Sequence, residues 1–193
     1  MTSLTRAFVN PVSLGLALVI AVFGVTAWVL SLRDGRGRPG GAARALGWAA
    51  AAGWLLFVTY ITVVLPSSSL GVRFSLVPLV DTVQGLVSPA AGNVLVATLG
   101  NIVLFVPLGA VVAVLAPRSR VWTPLWAGLV VSLLVELTQG FLAQKGAVAA
   151  DDLISNTAGA VIGWWIVRGV DRVIVTRSTP RLPDLLAEAR DHG

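Results

Sequence analysis

The chain of 193 residues contains no cysteine, and its single histidine, His192, is next to the C-terminal residue. Disulfide bonds and thiolate metal sites are therefore excluded, and no imidazole is available within the apolar part of the chain. Charged residues are also scarce, at 12% of the sequence against 56% hydrophobic residues, and the mean hydropathy is +0.86. Because soluble globular domains usually carry about 25% charged residues, we expect an integral membrane protein whose chemistry depends on oxygen-bearing side chains.

The net charge of +5 comes from fourteen Lys and Arg residues against nine Asp and Glu residues. A basic chain can bind nucleic acid, but these cations lie in loops between apolar runs rather than along one helical face with interleaved aromatic residues. We therefore expect membrane lipid as a partner and no nucleic acid, and we expect neither a cofactor nor a bound metal.

Five apolar runs are long enough to cross about 30 Å of hydrocarbon as helices. The predicted spans cover about residues 12–32, 45–65, 94–116, 121–142 and 151–170. The sequence thus predicts an all-α fold, in which residues 1–193 form a single membrane domain with five transmembrane helices.

The distribution of arginine predicts the orientation of these helices. Arginines concentrate in the loop 33–44, in the turn 118–120 and after residue 168, whereas the other connecting segments together hold only Arg6, Arg73 and Lys145. Since positively charged loops remain in the cytoplasm, we expect the N-terminus outside, the C-terminus inside and residues 171–193 as a cytoplasmic tail.

The longest predicted external segment runs from Pro66 to Gly92. Between Pro78 and Pro89 its apolar residues recur at helical spacing and polar residues occupy the other side. This pattern is typical of a short amphipathic helix in the membrane interface. An external lid and a plain connector are both compatible with it.

Two features of the apolar runs predict how the helices pack. Pro107 lacks a backbone N–H group, which predicts a kink near residues 103–107. Gly159 and Gly163 have the G-x-x-x-G spacing that lets a second membrane helix approach closely.

Polar side chains interrupt the third, fourth and fifth predicted spans. Glu136 is the most costly of them, since insertion scales assign roughly 3 kcal/mol to an ionisable group at mid-membrane, and such groups mark functional sites by default. At 1.5 Å per residue, Asn101, Glu136 and Asn156 lie about 10, 9 and 8 Å below the outer ends of their spans, which predicts one polar layer. The candidate ligand-binding residues are Arg73 at the rim and, within the layer, Asn101, Glu136, Gln139, Asp152 and Asn156.

The segments that carry these residues resemble the VanZ-like family of bacterial membrane proteins. Three of them match in order, namely N-I-V-L-F-V-P-L-G at 101–109, S-L-L-V-E-L-T-Q at 132–139 and D-D-L-I-S-N-T-A-G-A-V-I-G at 151–163. R-F-S-L-V-P-L at 73–79 is similar to the family's N-L-I-P-F stretch, so the resemblance is best over residues 73–163. Gly146 and Ala149 replace an arginine and an acidic residue that the family usually has before the aspartate pair.

The resemblance implies a multi-pass protein of the bacterial cytoplasmic membrane with a role in the cell envelope. The family is named for a protein associated with teicoplanin resistance, which implies a site for an envelope lipid or a glycopeptide-related ligand and a role in glycopeptide resistance. Family membership does not fix a function, because most members have no assigned activity.

Three hypotheses therefore stay open for the polar layer. It can bind or handle a ligand in an outward-facing site, or it can be a structural latch that fixes helix register while the protein binds a partner elsewhere. It can also belong to an intramembrane enzyme that acts on envelope lipid, with Glu136 as general base and Asp152 as its electrostatic partner. Ser132 and Ser155 are candidate nucleophiles, although hydroxyl groups in helices more often bond to helix carbonyls.

Overall fold

The computed structural model describes residues 11–33, 39–61, 73–75, 77–89, 91–142 and 147–178. Its elements are, in chain order, α1 (Pro11–Arg33), α2 (Gly41–Thr59), β1 (Arg73–Ser75), α3 (Val80–Leu86), α4 (Ala91–Leu115), α5 (Trp122–Leu137), a π-helical turn (Thr138–Leu142), β2 (Ala147–Ala149) and α6 (Ala150–Ser178). The predicted all-α class is confirmed, with the addition of two three-residue strands. Among the described residues, α2 and α4 are long and apolar enough to cross a membrane, and α1 contains a shorter apolar stretch, Ile20–Leu32.

The helices differ from the predicted spans mainly at their polar ends. α2 begins at Gly41 rather than at residue 45, since the alanines and Arg44 of this stretch are good helix formers. α6 continues beyond the predicted end at Val170 to Ser178, because a helix does not have to stop where the apolar run stops. The part of the predicted tail that follows Ser178 lies outside the described residues.

α4 and α6 run parallel and touch backbone to backbone. A Cβ atom built on Gly159 would overlap the carbonyl oxygen of Ile102, and one on Gly163 would overlap that of Val106. From α4, a Cβ atom on Gly109 would overlap the carbonyl oxygen of Ala160. The predicted G-x-x-x-G packing is confirmed, and the contact involves glycines on both helices.

α5 packs against α6 in the opposite direction. The Cβ position of Gly128 lies 2.9 Å from Cβ of Ala160, whereas Ser132, one turn further along α5, contacts Asn156, one turn earlier in α6. α2 is likewise antiparallel to α4, because Gly47 lies against Leu115, and Trp54, later in α2, bonds to Leu104, which is earlier in α4. α2, α4, α5 and α6 therefore alternate in direction along the chain.

α4 continues as one helix through Pro107. A proline inside a helix lacks the N–H that would bond to the carbonyl four residues earlier, here that of Val103, and its ring pushes against the same turn. The indole Nε1 of Trp54 donates to the carbonyl of Leu104 in that turn at 2.7 Å, and its ring packs edge-on against Phe105. Trp54 thus supplies a side-chain donor to the turn that precedes Pro107, where the kink stays a prediction.

The end of the bundle where α4 stops is held by arginine and tryptophan. The Arg168 guanidinium donates to the carbonyl of Ala116 at 3.1 Å and lies over the ring of Trp164. Trp164 in turn donates to the hydroxyl of Ser119 at 2.9 Å. These contacts tie α6 to the connection between α4 and α5.

The opposite end carries the two strands and α3. β1 pairs with β2 in parallel, with Ser75 opposite Ala149, and β2 leads directly into α6. The short helix predicted between Pro78 and Pro89 is confirmed as α3. Its apolar side chains are exposed, including Val83 at 58% and Leu86 at 40%.

Candidate functional site

The first turn of α6 carries two consecutive acidic residues, Asp151 and Asp152. Neighbours in a helix point about 100° apart, so the two carboxylates face different partners. Asp151 bonds to α3, whereas Asp152 bonds to Asn101 on α4. The first turn of α6 therefore binds both α3 and the polar residues of α4.

Asp151 caps α3 from a distance of about seventy residues in sequence. Its Oδ2 atom accepts hydrogen bonds from the Thr82 backbone N–H at 2.8 Å and from the Thr82 hydroxyl at 2.6 Å, and its Oδ1 atom accepts one from the Leu79 N–H. Leu79 has a left-handed backbone conformation, with φ 66°, which is uncommon for a bulky residue. Asp151 thus satisfies free amides at the start of α3 and holds the chain reversal before it.

We call the hydrogen bonds from α3 to Asp151 the Asp151 clamp. On the other side of this clamp from α3, two side-chain pairs connect α4, α5 and α6. Asn101 Nδ2 donates to Asp152 Oδ1 at 2.6 Å, joining α4 to α6. Asn156 Nδ2 donates to the Ser132 hydroxyl oxygen at 2.9 Å, joining α6 to α5 one turn deeper. The predicted polar layer therefore has two levels in the structure.

Glu136 lies at the level of the Asn101–Asp152 pair and is 2% exposed. One of its oxygens accepts a hydrogen bond from the Ala149 N–H of β2 at 3.3 Å, and the Asp152 carboxyl group is close enough to act on it electrostatically. Since α5 and α6 are antiparallel, the Ser132–Asn156 pair places Glu136 and Asp152 at the same level, one turn nearer the end of the bundle that carries α3. The two acidic side chains are therefore neighbours, with Glu136 buried and Asp152 half-buried.

One further acceptor lies on α6, one turn after Asp152. Within the described part of the chain, Asn156 Oδ1 is buried without a hydrogen-bond partner. Together with the two carboxyl groups, it makes the region rich in acceptors. A group that donates hydrogen bonds or carries positive charge is the chemical complement of such a region.

A VanZ/LLP1 sequence profile matches residues 48–174, which is more than half of the chain. The chain belongs to the VanZ/LLP1 family. Comparisons with curated protein sequences and with solved structures give no significant match. The family region begins in α2 and ends in α6, so it contains the whole polar cluster and leaves α1 outside.

Within this VanZ/LLP1 region, the structure brings together four of the six predicted ligand-binding residues: Asn101, Glu136, Asp152 and Asn156. Gln139 is half-buried in the π-helical turn, one turn after Glu136. The backbone of Arg73 lies in β1 opposite Ala147, and its side chain is outside the described part of the structure. Ser155 donates to the carbonyl of Asp152 at 3.2 Å, as expected for a helix hydroxyl.

Sequence reasoning missed two members of this VanZ/LLP1 site. Ser132 was expected to bond to its own helix, but its hydroxyl accepts the Asn156 amide from a neighbouring helix. Asp151 is not among the candidate residues of the sequence, yet its carboxylate caps α3. A detectable signal existed only for Asp151, because the α3 segment begins without an adjacent capping side chain.

Proposed function

We propose that this VanZ/LLP1 protein is a multi-pass protein of the bacterial cytoplasmic membrane, with five spans and its N-terminus outside. Large apolar side chains are exposed along the helices, among them Leu56 at 69%, Val103 at 65% and Leu134 at 56%. A soluble monomer rarely exposes so much apolar surface, whereas lipid would cover it in a bilayer. The alternating helix directions fit the same topology, and they collect arginines at the end expected in the cytoplasm.

Single cysteines test this orientation in the cysteine-free background. Ser68→Cys is expected to react with an impermeant thiol reagent in intact cells, because residues 66–92 are proposed to be external. Ser178→Cys is expected to react only after the membrane is permeabilised. The opposite labelling pattern would overturn the topology.

We further infer that the outer end of the bundle binds the polar part of an envelope lipid or a glycopeptide-related ligand, with a role in glycopeptide (teicoplanin) resistance. The observation that carries this inference is the buried carboxyl group of Glu136 beside the half-buried Asp152. An amide at residue 136 would bond to Ala149 equally well without burying a carboxyl group beside another one. Hydrogen bonds donated by a ligand would offset the free-energy cost of burying this carboxyl group. Asn156 Oδ1 supplies a further acceptor for such a ligand.

A structural latch is the second candidate, and a specific observation favours it. The pairs Asn101–Asp152 and Ser132–Asn156 bond one helix to another, and Glu136 bonds to β2. Such bonds fix helix register in membranes, although each contributes only about 0.6 kcal/mol on average. Enzymatic use of Glu136 as a general base, with Asp152 beside it, stays a third hypothesis.

Substitution of Glu136 by Gln separates these roles, because it keeps the shape and removes the acidity. If the carboxyl group binds a ligand or acts as a base, Glu136→Gln gives a folded protein that no longer protects cells against teicoplanin. Asp152→Asn is expected to share this defect, and the double variant to be no worse than either single one if the pair acts as a unit. Thermal stability in detergent is measured beside teicoplanin susceptibility.

Ser155→Ala is the matched control, because its hydroxyl bonds within its own helix. It is expected to leave both stability and susceptibility unchanged. Wild-type stability and full protection by Glu136→Gln would contradict the ligand-binding and enzymatic roles together and leave the latch.

A further inference from the structure

A cleft of about 400 Å³ lies between α1, α2 and α4, away from the polar cluster. Small residues that face it, such as Ala21 and Gly24 on α1 and Ala110 on α4, leave the space unfilled. Val25 and Val103 also line the cleft and are 55% and 65% exposed, so it opens to the side of the bundle. In a bilayer this opening would face lipid.

The cleft has the length of one lipid leaflet. Along α1 its lining extends from Ala17 to Trp28, which is about 16 Å at 1.5 Å per residue. A hydrocarbon core of about 30 Å gives each leaflet about 15 Å. On α4 the lining runs from Val103 to Val114, in the half of the helix nearer its C-terminal end, which the proposed topology places on the cytoplasmic side.

The apolar residues that line the cleft favour a hydrocarbon chain over water as its occupant. The indole nitrogens are its nearest side-chain donors, and both are engaged, Trp54 with the Leu104 carbonyl and Trp28 with Asp171. Water would therefore find few partners among the lining residues, and an empty cleft would forfeit the dispersion contacts of its walls. A flexible alkyl chain can fill such a space and remain connected to the bilayer through the open side.

We propose that this cleft holds one acyl chain of an inner-leaflet phospholipid. The proposal rests on the membrane location proposed above, but it does not depend on the polar cluster. α1 supplies one wall and lies outside the region matched by the VanZ/LLP1 profile, so the site is completed by a part of this chain that the profile does not cover.

Photocrosslinking tests the proposal on the full-length chain. The protein is reconstituted in vesicles of phosphatidylglycerol and phosphatidylethanolamine that contain a trace of phosphatidylglycerol with a diazirine midway along one acyl chain. Ile20 and Val111 line the cleft and are each only 7% exposed, so lipid at the outer surface does not reach them. Adducts mapped by mass spectrometry are expected on these buried residues as well as on exposed ones.

A substitution that fills the cleft supplies the second measurement. Gly24 lines the cleft and a Cβ atom built on it meets nothing within 4 Å, so Gly24→Leu can place a side chain in the space. The buried adducts are expected to be lost in this variant. They are expected to remain in Gly169→Leu, which is equally free of neighbours and lies outside the cleft lining.

The other possible outcomes would contradict either the acyl-chain site or the proposed membrane location. Adducts confined to exposed residues such as Leu134 and Ile166, or buried adducts that persist in Gly24→Leu, would overturn the acyl-chain site. Crosslinks that join cleft peptides of two copies would show that a second chain fills the cleft, and would overturn it too. Absence of the protein from the membrane fraction would instead refute the proposed location.

Discussion

Replacing Gly163 by alanine tests the backbone contact between α4 and α6 directly. The added methyl group would overlap the carbonyl oxygen of Val106 and would lie 3.1 Å from the amide nitrogen of Ala110. These are backbone atoms of a long helix, so they cannot rotate away as a side chain can. The substitution is therefore accommodated only if the two helices separate locally.

The expected cost follows from overpacking in a close-packed interior, which typically destabilises by about 1–3 kcal/mol. Because the overlap is with backbone, we expect the upper end of this range, about 3 kcal/mol. For a chain of 150–250 residues, 1 kcal/mol corresponds to a shift of about 2–4 °C in Tm. Gly163→Ala is thus expected to lower the Tm by roughly 6–12 °C.

Gly169 in the same helix is the matched control, since a Cβ atom there meets nothing within 4 Å. Alanine is favoured over glycine in a helix by about 1 kcal/mol, so Gly169→Ala is expected to raise the Tm by about 2–4 °C. Thermal unfolding of both purified variants in one detergent gives the comparison. A Gly163→Ala protein that melts at or above the wild-type temperature would refute the deduced backbone contact.

Two further substitutions test individual hydrogen bonds. Asp151→Ala removes the acceptor of the Thr82 amide, so hydrogen exchange at Thr82 is expected to accelerate. Ser155→Ala, the control, is expected to leave that rate unchanged. Equal exchange rates at Thr82 in both variants would contradict the Asp151 clamp. Trp54→Phe leaves a buried carbonyl without its indole donor and is expected to destabilise by about 1–3 kcal/mol in thermal unfolding. Trp48→Phe, at a side chain that is 62% exposed, is expected to be neutral, and equal losses in both variants would argue against the bond.

The helices were predictable because each is encoded locally. An apolar run such as 94–116 specifies α4 without reference to any other segment, and the G-x-x-x-G spacing on α6 is likewise visible within one helix. The helix ends were predicted less accurately, because a hydrophobic run shows which residues lie in the hydrocarbon region, whereas the helix can extend beyond those residues. α2 and α6 therefore begin or end in polar residues beyond the predicted limits.

The partners across helices were not predictable in the same way. Five polar residues could be assigned to one layer by depth, but depth does not give the rotation of each helix about its axis. That rotation decides that Asn156 meets Ser132 and that Asn101 meets Asp152. The pairing of β1 with β2 had no sequence signal, since three residues are too few to show an alternating pattern.

The glycine contacts also determine which parts of the molecule can move. α4 and α6 cannot slide or rotate against each other without bringing backbone atoms into collision, so they behave as one rigid body. α3, in contrast, is tied to this body by the Asp151 hydrogen bonds, and a bond to an ionised carboxylate contributes about 1.5–3 kcal/mol. These bonds can open while the glycine contacts stay closed, so α3 can move relative to α4 and α6 without disturbing the contact between them.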